Sequence, residues 1–433
     1  MATSRQTALK ILYSVEFEGA YSNLAIKSGL KDSELNAKDR GLVTNLVYGV
    51  ISRKLALDKI ISKYSSVKLN KLSKYVLLIL RMGVYQLKFM DKIPESAAVN
   101  ESVKLAMKFA AKSKGFVNGV LRSVARESFE FSNAFEELSY PEALSEKFCE
   151  DFGNDKALKI MGALNGAPEM TIRTNSLKIT RDELAKKLEK KGVFVKEDAL
   201  YDKNLKVSGL DIGSSEEFLN GLFTVQDTAA TLAAYVLAPK PGDKVLDLCA
   251  APGGKTTHLA ELMGNKGEIL AFDIYEHKVE LIKETAKRLG IDIINARCAD
   301  AGDLKSELLN KFDCVLADVP CSGLGIIRRK PEIKYNAEFG EELYAIQDKI
   351  LSCAAEYVKP GGALVYSTCT LNKYENEIKI QSFLENNKNF EREDISDKIK
   401  SETAKDGYAV LLPDEYDTDG FFIAKLRRKR ETD

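Results

Sequence analysis

Histidine is scarce in this 433-residue chain, which has only His258 and His277, and none of its seven cysteines forms a Cys-x-x-Cys pair. Neither histidine has a second soft ligand near it in sequence, so no metal site is expected. An odd number of cysteines spread over a long chain fits free thiols in a reducing compartment better than a disulfide framework, which places the protein in the cytoplasm. Long apolar runs are missing as well. The run 76–80 is closed by Arg81, and nothing approaches the roughly 18 residues of a membrane span. Residues 1–10 lack the apolar core of a secretory signal. Net charge is absent too, since Lys+Arg 64 balances Asp+Glu 64, so any surface for nucleic acid must be local. What remains, 45% hydrophobic and 30% charged residues, describes a soluble globular chain of two or three domains.

The pattern divides in three. Residues 1–140 read as an all-α bundle: apolar positions recur at helical spacing through Ala8, Ile11, Leu12 and Val15, through Leu42, Leu46 and Val50, and through Val76, Leu80, Val84 and Leu87, with a single proline, Pro94, where a helix can start. Asn36 is a candidate helix cap. Residues 141–235 read as a small α+β module, with short strands at 170–175 (MTIRTN) and 193–195 around a helix over 181–191, whose lysines form its solvated face. Residues 236–433 alternate strand and helix as a parallel α/β sheet requires, with strands expected at 244–249, 268–273, 292–297, 312–319 and 363–369, two closing strands at 408–412 and 420–426, and a disordered basic tail at 427–430.

Residues 247–257 (DLCAAPGGKTT) follow the first of these strands and open a helix. Ligands of open α/β sheets sit at the carboxyl ends of strands, where glycine lets the backbone come close to them. A nucleotide P-loop would need glycine where Cys249 stands, and a dinucleotide fingerprint fails because Gly253 and Gly254 are adjacent and the next glycine is Gly264. S-adenosylmethionine is the third reading. Asp273 ends the second strand, 20 residues past Gly253, a spacing suited to ribose hydroxyls, and Asp300 follows the third strand, where an adenine contact is expected. The candidate cofactor residues are Cys249, Ala250, Ala251, Pro252, Gly253, Gly254, Lys255, Asp273, Asp300 and Asp318.

Two cysteines end the next two strands, Cys321 in 318–323 (DVPCSG) and Cys369 in 367–370 (STCT). Carbon 5 of a pyrimidine is too poor a nucleophile to attack a sulfonium methyl group. Addition of a thiolate to carbon 6 turns it into an enamine that can, after which a base must take the carbon 5 proton before sulfur leaves. Asp318, three residues before Cys321, is placed to stabilise charge at ring nitrogen 3. Cys149, Cys314 and Cys353 read as small buried hydrophobes, while Cys249 and Cys298 border the cofactor site without a chemical task. The residues alone leave open which of Cys321 and Cys369 attacks.

At these motifs the chain resembles the RNA 5-methylcytosine methyltransferases that use S-adenosylmethionine, in order and spacing alike. The resemblance implies that Cys369 is the nucleophile and that Cys321 assists product release, whereas DNA cytosine methyltransferases use their Pro-Cys cysteine to attack. Val319 stands where alanine is common in the family. Residues 94–109 (PESAAVNESVKLAMKF) and 116–121 (FVNGVL) are similar to the NusB antitermination fold, and this layout is that of a bacterial 16S ribosomal RNA methyltransferase family of the cytosine-967 type. It also makes 170–175 and 223–227 (FTVQD) parts of a small RNA-binding module. Arg328, Arg329 and Lys330, followed by Lys334 and Tyr335, are suited to phosphate and an unstacked base. The expected partner is a hairpin of 16S rRNA bound by a monomer, with no membrane and no metal. A transfer RNA or large-subunit target, or a NusB-like factor that only holds RNA, are the alternatives.

Overall fold

A computed structural model describes residues 2–31, 33–336 and 339–430. The chain forms two compact units, one made of Met1–Gly166 with Ile327–Asn336, the other of Ala167–Ile326 with Ala337–Asp433. The sequence reading sets a boundary after residue 140, but the helices Glu142–Phe152 and Asn154–Leu164 cluster with the first unit. Among the described residues no helix is long and apolar enough to cross a membrane.

The first unit is helical. Asn36 caps the helix Ala37–Ser52, its Oδ1 accepting from the Asp39 N–H at 2.9 Å. The helix Lys74–Lys88 runs through the core and buries Leu78, Ile79, Leu80, Met82 and Val84. It also buries Arg81, whose guanidinium donates twice to Asp58 at 2.7 Å and once to Glu16 at 3.2 Å, because a charge can sit there only when paired.

Ten residues from far along the chain complete this unit. Glu332 accepts from the Ser22 N–H at 3.0 Å and the Ser22 hydroxyl at 2.8 Å. Lys334 donates to the carbonyls of Ser52 at 2.9 Å and Leu138 at 3.3 Å and to Asn165 Oδ1, lies over the Tyr140 ring at 3.9 Å, and is pushed well down by burial and by Arg53. The Tyr335 hydroxyl donates to the Ile51 carbonyl at 3.0 Å. This corrects the expected substrate contacts: Lys334 spends its donors inside the helical unit and Tyr335 packs on its core, so neither is presented to RNA. Arg328, Arg329 and Lys330 are half-buried, with Lys330 Nζ 5.8 Å above the Tyr21 ring.

The second unit holds two sheets. The small one is antiparallel, with β1 (Met170–Thr174), β2 (Phe194–Glu197), β3 (Asn204–Ser208) and β4 (Phe223–Val225) in the order β2-β3-β1-β4. Its helix Arg181–Glu189 buries Leu184 and Leu188 and leaves the lysines outward, as the period predicts.

The large sheet comprises β5 (Lys244–Asp247), β6 (Glu268–Asp273), β7 (Ile294–Cys298), β8 (Phe312–Asp318), β9 (Val358–Thr368), β10 (Phe390–Arg392), β11 (Tyr408–Leu411) and β12 (Phe421–Arg428). Its order is β10-β12-β9-β8-β5-β6-β7, with β11 on β12. Strands β5 to β9 run parallel, and β12 turns back antiparallel on β9. β10 escapes the sequence reading because three residues carry too little alternation. The basic tail is corrected too: Arg427 and Arg428 belong to β12, Arg427 Nε donating to Glu393 at 2.7 Å and Arg428 to the Val358 carbonyl at 2.7 Å.

Candidate active site

Strand order reverses at β5, which has β6 on one side and β8 on the other, and the carboxyl end of such a strand is where open sheets bind ligands. The loop after β5 is tied to both neighbours: the Leu248 N–H donates to the Leu316 carbonyl at 3.0 Å and the Ala250 N–H to the Phe272 carbonyl at 2.8 Å. It passes through a cis Ala251-Pro252 bond to Gly253, at φ +99°, which caps the helix Gly254–Leu262. A Cβ on Gly253 would lie 3.3 Å from Ile282 Cα, so glycine meets both the backbone angle and the close approach.

Carboxylates surround this loop. Asp247 accepts from the Thr256 hydroxyl at 2.7 Å and is pushed up to about 7 by burial. Burial pushes the Cys249 thiol well up, and the charges of Asp247, Asp318, Asp273 and Asp300 push it further, so all four lie within electrostatic reach of one sulfur. Asp273 ends β6 and accepts from the Tyr275 N–H at 3.1 Å through Oδ1, with no other hydrogen bond to its carboxylate among the described residues; Asp300 accepts from the Gly302 N–H at 2.8 Å. S-adenosylmethionine carries a sulfonium, an ammonium and a ribose diol. A glycine cradle ringed by acids fits that set. Asp273 and Asp300 would hold the nucleoside, and residues 249–255 the remainder.

Arg173 of β1 went unnoticed in the sequence beyond its place in MTIRTN. It is fully buried, with Nε and Nη2 on the two oxygens of Glu261 at 3.0 and 2.9 Å, Nη2 on Thr257 Oγ1 at 3.1 Å, and Nη1 on the Gly254 carbonyl at 2.8 Å and on Gln226. The small sheet thus grips the first turn of the cofactor helix. Local pattern could not reveal this, because Glu261 is 88 residues away.

The thiols meet through register. β8 and β9 are parallel with Asp318 opposite Ser367, so Cys321 and Cys369 leave neighbouring strand ends together. Their Sγ atoms are 3.1 Å apart, and both residues are half-buried. The Gly325 N–H donates to the Cys369 carbonyl at 3.0 Å and the Gly420 N–H to the Gly325 carbonyl at 2.8 Å; a Cβ on Gly325 would fall 1.9 Å from the Gly420 oxygen. Asp318 accepts from Lys255 Nζ and from the Ser367 hydroxyl, each at 2.7 Å. Burial works against the Lys255 ammonium, but Asp318, Cys369 and Asp247 raise it overall. Cys321 is pushed well up, first by its hydrogen bond to Cys369, then by burial and by the charges of Cys369 and Glu375.

Cys314 and Cys353 are buried, as expected of small hydrophobes, but Cys149, expected buried as well, is half-buried on its helix; Cys298 is exposed at the end of β7. Among the described residues no group of three or more His, Cys, Asp or Glu side chains could hold a metal ion.

Residues 234–427 match the family described as 16S rRNA methyltransferase RsmB/F, residues 2–126 the NusB family, and residues 140–209 the ferredoxin-like domain of RsmF/B-like methyltransferases. The chain is similar to the probable ribosomal RNA small subunit methyltransferase B of Bacillus subtilis (strain 168), 40% identical with 98% of each chain covered. The same is true of the protein of that name from Synechocystis, 34% identical over 99% of this chain and 100% of that one. The crystal structure of PH0851 superposes with a TM-score of 0.83 at 30% identity, covering 98% of each chain. A methyltransferase homolog protein from Pyrococcus horikoshii covers 68% of this chain and 97% of its own at 33% identity and a TM-score of 0.58. A glycine cradle ringed by acids, paired thiols on adjacent strand ends and full-length likeness agree: the chain belongs to the RsmB/F family of S-adenosylmethionine-dependent rRNA methyltransferases.

Proposed function

We propose that this enzyme methylates carbon 5 of a 16S rRNA cytosine, of the position-967 type, through a covalent bond from Cys369 Sγ to ring carbon 6. The observation that carries this reading is the pair of sulfurs 3.1 Å apart with unlike surroundings: Cys369 lies close enough to help raise the Lys255 ammonium, while the charge of Glu375 helps push the Cys321 thiol up. A nearby cation favours the thiolate and a nearby anion disfavours it. Attack on carbon 6 requires the thiolate of Cys369, so in the reacting state the hydrogen of the sulfur–sulfur contact lies on Cys321.

Attack of Cys369 Sγ on carbon 6 moves the ring electrons toward nitrogen 3, and a proton passed from the Lys255 ammonium through the Asp318 carboxyl to nitrogen 3 neutralises that charge, to return by the same route when sulfur leaves. When bound, S-adenosylmethionine supplies an electrophilic methyl group on sulfur. Once bonded to carbon, Cys369 no longer accepts the hydrogen bond of Cys321, the largest influence holding that proton. Cys321 then releases its own proton to solvent and takes the carbon 5 proton in its place. The electron pair left behind reforms the ring double bond as the carbon–sulfur bond breaks, and Cys369 returns to its thiolate.

The target base must be unstacked for attack above its plane, which favours a hairpin loop. Arg328, Arg329 and Lys330 are proposed to contact its phosphates, the division 1–140, 141–235 and 236–433 to separate RNA-holding from catalytic parts, and the protein to act as a cytoplasmic monomer. Bisulfite sequencing of total RNA with and without the protein tests the reading. One 16S cytosine that loses protection in its absence is the expected result, and a loss confined to transfer RNA or 23S rRNA would overturn the substrate assignment.

A further inference from the structure

Six residues after Cys369 lies a carboxylate with no solvent exposure, whose hydrogen-bond donors are all neutral. Glu375 Oε2 accepts from the Ser322 N–H at 2.9 Å and from Gln347 Nε2 at 2.8 Å, while Oε1 accepts from the Ser322 hydroxyl at 2.5 Å and from Asn372 Nδ2 at 2.9 Å. A buried carboxylate satisfied by four neutral donors is costly to assemble, and its donors here are not arbitrary. Ser322 follows Cys321. Its hydroxyl also lies 2.7 Å from that of Thr370, which follows Cys369. Gln347 uses the same amide nitrogen to donate to the Pro320 carbonyl at 3.0 Å, so the Cys321 loop is held on both sides of its thiol. The Glu375 backbone is fixed in turn, its carbonyl accepting from the buried Tyr366 hydroxyl at 2.7 Å.

We propose that Glu375 is a positioning residue for the two-thiol reaction: its carboxylate docks the Cys321 loop onto the Cys369 loop and keeps the two sulfurs in contact. The inference rests on the reading that Cys369 adds to the base and Cys321 completes release. Glu375 reaches the reacting atoms only through Ser322 and its negative charge, which is one of the influences that hold the Cys321 proton until Cys369 has bonded carbon. Cys369 directly follows β9, which is paired on both sides by β8 and β12 independently of Glu375, so loss of the carboxylate falls first on Cys321. Addition should survive while elimination slows.

The test uses the full chain with S-adenosylmethionine and a 16S rRNA transcript. In Glu375→Gln, kcat is expected to fall about 100-fold, the scale of a misplaced reacting group, with the RNA KM and the cofactor Kd held within about twofold. The variant should also accumulate a denaturant-resistant protein–RNA adduct. Ser322→Ala, a smaller change that leaves the backbone bond in place, should do the same to a lesser degree, and the double variant should be no worse than Glu375→Gln alone. Lower kcat without adduct, unchanged kinetics, or loss of cofactor and RNA binding together would each overturn the positioning role, and if Glu375→Gln does not fold, Ser322→Ala decides alone. An unmutated protein that transfers no methyl group would overturn instead the reading on which the inference rests.

Discussion

Cys321 Sγ and Cys369 Sγ face each other at 3.1 Å, but Cys369 is the one that helps raise the Lys255 ammonium, and Glu375 pushes the Cys321 thiol up. Opposite outcomes are expected from mutating the two. Cys369→Ala should form no adduct and transfer no methyl group, because nothing activates carbon 5. Cys321→Ala should still add and then remain bonded to RNA, seen as a shifted band on a denaturing gel. The reverse pattern would assign the attack to Cys321.

Asp273 offers one carboxylate oxygen beyond the one that holds the Tyr275 N–H. If it binds the ribose, Asp273→Ala should weaken S-adenosylmethionine by about ten- to a hundredfold, the worth of a charged hydrogen bond at roughly 1.5–3 kcal/mol. Titration calorimetry with an unchanged Kd would remove Asp273 from the site.

Arg173 and Glu261 form a buried pair, and removing one partner strands the other. Arg173→Met should cost about 3–5 kcal/mol of unfolding free energy and weaken cofactor binding, because the Gly254 carbonyl loses its charged donor. Arg173→Met with Glu261→Leu should recover part of the stability but not the affinity. Urea unfolding and calorimetry on the same three proteins separate the two effects.

His258 should make the stability of the fold depend on pH. Its Nδ1 faces the Thr231 carbonyl at 3.1 Å and so carries the hydrogen, leaving Nε2 to accept from the Tyr201 hydroxyl at 2.9 Å. Burial, then the charge of Arg173, pushes the folded imidazole well below its usual 6.5. The unfolded chain therefore takes the proton first. Stability is complete above about 6.5 and falls by roughly 1.4 kcal/mol per pH unit below it. His258→Gln should flatten that slope in urea midpoints measured between about pH 7.5 and 5.5. An equally steep slope in the variant would move the effect to other groups.

Neutralising Arg328, Arg329 and Lys330 together should lower both RNA affinity and its salt dependence while cofactor affinity holds. Filter binding across a salt series reads the slope. An unchanged slope would leave these side chains a structural part of the helical unit.

Much of the site could be read in the sequence because its chemistry sits in short segments at strand ends. The loop from Cys249 to Lys255, the acids Asp273 and Asp300, and the segments around Cys321 and Cys369 each announce themselves within a dozen residues. The helical period likewise exposed the core face of Lys74–Lys88. Pairing at a distance left no such trace. Arg173 meets Glu261, and Glu375 meets Ser322 and Gln347, only once the strands are in register. Lys334 and Tyr335 looked like substrate contacts because a basic, aromatic run beside a catalytic loop carries the same letters whether it faces solvent or a core.

The ten residues that Ile327–Asn336 lend to the helical unit also set a schedule for biosynthesis. A domain at the head of a chain can ordinarily close while the ribosome is still translating the remainder. Here Ser22 must wait for Glu332, and the carbonyls of Ser52 and Leu138 for Lys334, until translation has passed residue 334. The amino-terminal unit is therefore finished only after the cofactor loop and Cys321 have been made, so a truncated product never carries a completed helical unit without them.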